Sequence, residues 1–303
     1  MQTVLNFQPE IEQALAADEP VVALESTVIT HGLPYPKNVE TAVLMEESVQ
    51  SGGAHPATIA LIQGQIYVGL THDQMDYLGQ QAGQNSVRKC SRRDLSLAMA
   101  RSEDGSTTVA GTMILAHRAG IPIFATGGIG GVHRGHAFDI SADLTELGRT
   151  PMVVVCSGAK SILDLPATRE VLETQGVTIV GYGADELPAF YARSSGLPVD
   201  IRLDTPEDVA NVMRARQTLG LQSGMLVTVP VPETEAMDTA AAEAAILQAT
   251  READEQGIHG SQSTPWLLSR MVALTNGRSM RANVALLKNN GRVAGQIAMA
   301  LAS

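Results

Sequence analysis

Short apolar runs without polar alternation, VVALE at 21–25 and MVVVC at 152–156, constrain this chain more than any other feature, because strands of that kind are covered on both faces. Further runs at 58–62, 66–69, 121–125, 177–180, 200–203 and 225–229 are separated by longer stretches of helical spacing. The alternation predicts an α/β protein with a mainly parallel sheet under helices. Gln63-Gly64, between two of the runs, predicts a hairpin, so the sheet is mixed. Helices are predicted over 38–51, with Asn38 as N-cap and Gly52-Gly53 as the stop, and over 92–101, opened by a capping box at Ser91 and Asp94. Others are predicted over 106–119, 164–175, 205–219, 236–256, 264–275 and 280–302, and the helix-rich segment beyond 232 reads as a cover on the sheet. No linker of Ser, Gly and Pro divides the 303 residues, which predicts a single domain.

Lys and Arg total 21 against 32 Asp and Glu, a net charge of −11 and the wrong sign for general attraction to nucleic acid or anionic membranes. Any phosphate must be met locally. One Trp, five Tyr and four Phe also leave little from which to build a base-stacking platform. The two cysteines, Cys90 and Cys156, fit neither a disulfide framework nor a CxxC site, which points to a reducing compartment. The first twenty residues show no basic start and no apolar core, and no later run would span a membrane, so a cytoplasmic protein is expected.

Ligands of open α/β sheets gather outside the carboxyl ends of strands. Around these ends the chain carries Glu25-Ser-Thr, the basic run Arg88, Lys89, Arg92 and Arg93, the loop Thr126-Gly-Gly-Ile-Gly-Gly leading to His133-Arg134, and Ser157-Gly-Ala-Lys160-Ser161. The glycine loop either cradles an anion on its backbone N–H groups or makes tight turns that need positive φ. Neither it nor GAKS has the spacing of a dinucleotide or Walker loop. Lys160, three small residues beyond an apolar strand, is either a surface or phosphate-binding lysine or a desolvated amine able to form an imine. Glu25 ends a buried run, as a general acid or as a capping or ion-paired carboxylate. His31, His133, His136, Asp139 and Asp143 form a polar cluster that either holds a hard cation such as Mg²⁺ or Mn²⁺ or hydrogen-bonds to itself. The basic run either anchors a phosphate or is solvated, and Cys156 reads as a core residue.

The blocks ALESTVITHGLPYP (23–36), RKCSRRDL (88–95), FATGGIGGVHRG (124–135), FDISADL (138–144), SGAKSILDLP (157–166), LPAFYARSSG (187–196) and STPWLL (263–268) resemble the pseudouridine-5′-phosphate glycosidases, also called the indigoidine synthase A-like family. The resemblance implies a three-layer α/β/α fold in a single domain and a homotrimer. It also implies a divalent cation, Mn²⁺, and the interconversion of pseudouridine 5′-phosphate with uracil and ribose 5-phosphate. Matched motif by motif, it makes Lys160 the imine-forming lysine, Glu25 the proton donor and Asp139 the metal ligand. Lys89, Val109, Ser141, Ala142 and Asp143 become substrate contacts, and His133 and Asn283 further active-site positions. The segment between Arg134 and Phe138 is shorter than the family form and carries His136. A Schiff-base aldolase acting on another sugar phosphate and a non-catalytic sugar-phosphate sensor are the alternatives. The sensor would have no need of Lys160 and Glu25.

Overall fold

The structure is a computed structural model that describes residues 4–84, 86–258 and 263–303, with side chains described at all of these except 136, 137 and 263–265. With strands numbered along the chain, the main sheet runs in the order β1 (Leu5–Phe7), β4 (Gln65–Val68), β3 (His55–Ile62), β2 (Val21–Leu24), β7 (Ile123–Ala125), β10 (Val153–Cys156), β14 (Met225–Thr228), β12 (Thr178–Tyr182) and β13 (Ile201–Leu203). β6 (Gly105–Thr107) adds to β3, and β5 (Arg88–Cys90) pairs with β6. A small second sheet orders β11 (Leu163–Asp164), β8 (Val132–His133) and β9 (His136–Ile140). Among the described strands of the main sheet, β4 and β6 pair antiparallel with β3 and the other pairings are parallel, so the sheet is mixed and mainly parallel, with helices on both faces.

The central strands β2, β7, β10 and β14 are parallel and buried along their whole length, as their lack of alternation requires. All eight predicted runs are strands. The Gln63-Gly64 hairpin forms with φ of 50° and 74° at the two residues, the left-handed geometry of a tight two-residue turn. Short polar strands such as RKC and GST escaped the sequence, since pairing partners far along the chain make them. For that reason the helix predicted over 106–119 begins only at Val109, where the Thr108 hydroxyl accepts from the Gly111 amide at 3.2 Å. Asn38 is likewise no N-cap. It lies inside the helix Lys37–Ser51, where its buried amide group donates to Ile29 O at 2.6 Å and Gly79 O at 3.0 Å.

The C-terminal helix Arg278–Ala302 covers the sheet and crosses the helix Lys37–Ser51 at close range. A methyl group at Gly295 would stand 2.5 Å from Val49 O, so only glycine allows the approach. From β2 the chain steps outward to β3, and from β7 it steps the other way to β10. The crevice beyond β2 and β7 is thus the topological switch point, where ligands of such sheets bind.

Candidate active site

A cleft of about 740 Å³ opens at that switch point. Glu25, Lys89, Val109, His133, Asp139, Ser141, Ala142, Asp143, Lys160 and Asn283, drawn from segments spread over most of the chain, all line it. Glu25 continues β2, Thr126 continues β7 and Ser157 continues β10, so three adjacent strand ends form the floor. The Glu25 carboxylate is buried and accepts from the hydroxyls of Thr126 and Thr27. Asn290, fully buried on the C-terminal helix, donates to Thr126 O at 2.8 Å and to the Ser157 hydroxyl at 3.2 Å, tying two of the strand ends together. Sequence reasoning missed it. Its only signal is an amide side chain on the apolar face of a helix.

Lys160 is placed by backbone pairing that prolongs β7 and β10: its N–H donates to Ile129 O at 3.1 Å, and Ile129 N–H donates to Gly158 O at the same distance. The glycine loop that contains Ile129 is not the set of positive-φ turns its composition suggested. None of Gly127, Gly128, Gly130 and Gly131 has a positive φ, and several of the loop's amides are already engaged. Gly130 N–H donates to the Asp143 carboxylate at 2.8 Å, and Val132 N–H to the Thr168 hydroxyl at 3.0 Å. The glycines are there because neighbours press close. A Cβ at Gly128 would lie 2.7 Å from the Phe190 ring, which walls the cleft and stacks edge-on against Tyr191. The loop is therefore braced at Ile129, Gly130 and Val132 by bonds from their amides to neighbouring elements.

Asp143 is buried and divides its carboxylate between Gly130 N–H and Ala110 N–H, the latter at 3.0 Å. It locks the helix Val109–Arg118 to the glycine loop. The basic run also separates. Arg92 makes a two-point bond to the buried Glu146, at 2.7 and 2.6 Å, and Arg88 pairs with Glu103 at 2.5 Å. Arg93 is 90% exposed. Lys89 alone of the four is both largely withdrawn from solvent and set among the charged groups of the cleft. Burial first, and then the Lys160 ammonium, lower its pKa, while Asp143 and Glu25 oppose the change. Burial, and then Lys89, push His31 down to about 4, so its ring is neutral at neutral pH. His31 Nδ1 lies 2.6 Å from the Thr30 hydroxyl and 3.2 Å from that of Ser106. Cys156 is a buried thiol pushed up to about 12 by desolvation, a core residue as read.

Two members of the polar cluster are already engaged by other groups. Asp143 is turned to backbone amides and His31 to hydroxyls, and the His136 side chain lies outside the described residues. Among the described residues no three His, Cys, Asp or Glu side chains are grouped to hold a metal. Asp139 is exposed at the rim of the cleft, and a lone carboxylate suits only a hard cation that keeps most of its waters. No helix among the described residues is long and apolar enough to cross a membrane.

A parallel sheet whose switch point gathers a buried carboxylate, two lysines and a walled cleft defines an α/β enzyme. The chain belongs to the indigoidine synthase A like family, whose model matches residues 10–300. It is 53% identical over 300 residues to a pseudouridine-5′-phosphate glycosidase of Hahella chejuensis, covering 98% of both chains. It is 54% identical over 301 residues to one of Herpetosiphon aurantiacus, covering 99% of this chain and 98% of that one. Among solved structures it resembles a prealnumycin C-glycosynthase in complex with ribulose 5-phosphate, with a TM-score of 0.91 at 41% identity. An indigoidine synthase A-like protein from Thermotoga maritima gives a TM-score of 0.90 at 33% identity. Each structural match covers 100% of this chain and 98% of the other.

Proposed function

We propose that the protein is a pseudouridine-5′-phosphate glycosidase, which reversibly cleaves the bond between C1′ of the sugar and C5 of uracil through an imine of ring-opened ribose on Lys160. The observation that carries this reading is the meeting of Glu25 and Lys160 in one cleft, from strands separated only by β7. The named relatives support the substrate. The ligand of the C-glycosynthase supports the ring opening: with its terminal oxygen esterified, ribulose 5-phosphate cannot close to a furanose, so that protein binds an acyclic pentose phosphate.

The target is a carbon–carbon bond, which leaves no glycosidic oxygen or nitrogen for an ordinary pair of carboxylates to protonate. In this reading Glu25 delivers a proton to the ring oxygen as the C1′–O bond breaks, and the Lys160 amine bonds to C1′. Breaking the C1′–C5 bond then sends its electron pair to uracil C5, where a proton replaces the sugar. Lys160 is left double-bonded to C1′, and water hydrolyses that imine to ribose 5-phosphate. Lys89 and the neutral surface of Val109, Ser141 and Ala142 hold the substrate, with His133 and Asn283 beside them, so that these steps become intramolecular. Asp139 would hold a hydrated Mn²⁺, which when bound would offset negative charge at the rim. A homotrimer in the cytoplasm completes the reading, and the fully exposed Phe138 beside Asp139 is the kind of side chain a subunit contact covers. Incubating the purified protein with pseudouridine 5′-phosphate and Mn²⁺ should release free uracil, measured by liquid chromatography. No release above the protein-free control would overturn the assignment.

A further inference from the structure

Arg134, one residue beyond β8, takes part in none of these steps, yet its guanidinium is engaged on every side. Nε donates to Leu163 O at 3.0 Å and Nη2 to Ser161 O at 3.1 Å. On the other edge Nη1 lies 2.5 Å and Nη2 3.1 Å from the two carboxylate oxygens of Glu243, in the helix Thr239–Glu255. Both carbonyls belong to the turn that starts at Lys160, where Leu163 N–H donates to Lys160 O at 3.0 Å.

The turn's own hydrogen bond engages the Lys160 carbonyl, while Arg134 takes those of Ser161 and Leu163. Ser161 and Leu163 are buried, so their carbonyls need partners, and the Ser161 hydroxyl has no hydrogen-bond partner among the described residues. The pairing of Leu163 with His133 fixes the far end, and Lys160 N–H on Ile129 O fixes the near end. Between them stands Arg134. Two carbonyls on one edge and a carboxylate on the other need a planar fork of donors, which lysine lacks.

We propose that Arg134, braced by Glu243, is a positioning residue for Lys160: it fixes the turn 160–163 and thereby the direction from which the amine enters the cleft. The proposal rests on the reading of Lys160 as the nucleophile. A misplacement of about 1 Å in such a group costs on the order of 100-fold in rate. Arg134→Lys keeps the charge and loses the fork. Glu243→Gln, at a residue 45% exposed, weakens the brace with little risk to folding.

Steady-state kinetics with pseudouridine 5′-phosphate should show kcat lowered roughly 10- to 100-fold in Arg134→Lys, and less in Glu243→Gln, with KM within about threefold of the parent. Amide hydrogen exchange should quicken at Lys160 and Leu163 in both variants but not in the central strands. A kcat within threefold of the parent in Arg134→Lys, or exchange accelerated evenly across the sheet, overturns the proposal. If the parent itself releases no uracil, the functional reading fails, while exchange localised to 160–163 still upholds the positioning of the turn.

Discussion

The Thr126 hydroxyl donates to the Glu25 carboxylate across 101 residues of sequence, because β2 and β7 are parallel neighbours that end in register at Leu24 and Ala125. The carboxylate is thus held in place before any substrate arrives. Glu25→Gln keeps the size of the side chain and removes the titratable proton. General acid–base catalysis is worth about 10² to 10⁴ in rate, and a kcat loss in that range is expected. A loss below threefold would make Glu25 a structural residue.

An imine can be trapped, and a hydrogen bond cannot. Borohydride added during turnover, or with ribose 5-phosphate alone, should fix a pentose phosphate on the protein, and peptide mapping should find it on Lys160. Lys160→Arg, which stays charged at any working pH, should give neither adduct nor uracil. Lys89→Ala should weaken binding while trapping persists at high substrate. An adduct on Lys89, or uracil release by Lys160→Arg at a rate comparable with the parent, would sink the covalent mechanism.

Chelation followed by exhaustive dialysis should lower activity strongly, with Mn²⁺ restoring it. Asp139→Ala should remain folded by circular dichroism and be nearly inactive. Undiminished turnover in excess chelator would remove the metal from the reaction.

Away from the cleft, burial pushes the Glu46 carboxyl up to about 7, with Thr58 and His72 opposing the change. The folded state therefore holds a proton that the unfolded state has released, and stability from this group is complete below its ordinary value of 4.5 and lost as pH rises through about 7. Glu46→Gln removes the titration. Its urea midpoint should exceed that of the parent at pH 8, by a free energy of at most about 3 kcal/mol, and the advantage should vanish at pH 4. Equal pH profiles for the two proteins would show that Glu46 is charged in the fold.

The chain by itself determined the sheet. VVAL, IFA and VVVC are apolar at every position, and burial on both faces leaves such segments one place, the middle of a parallel sheet. Chemistry at the ends of those strands followed from that placement, so Glu25 and Lys160 were legible as a pair, and the motif blocks gathered the rest of the cleft. Only the tertiary structure decided what each polar group does there. Arg88 and Arg92, equals of Lys89 in sequence, are matched by Glu103 and Glu146. Asp143, on the cleft wall, is held by two backbone amides, the glycines make room for neighbours instead of turning, and Asn290 and Arg134 brace loops from afar. Periodicity records whether a segment is buried, since burial repeats along the strand or helix itself. A hydrogen-bond partner or an opposing charge comes from another element, and its identity exists only once the chain has folded.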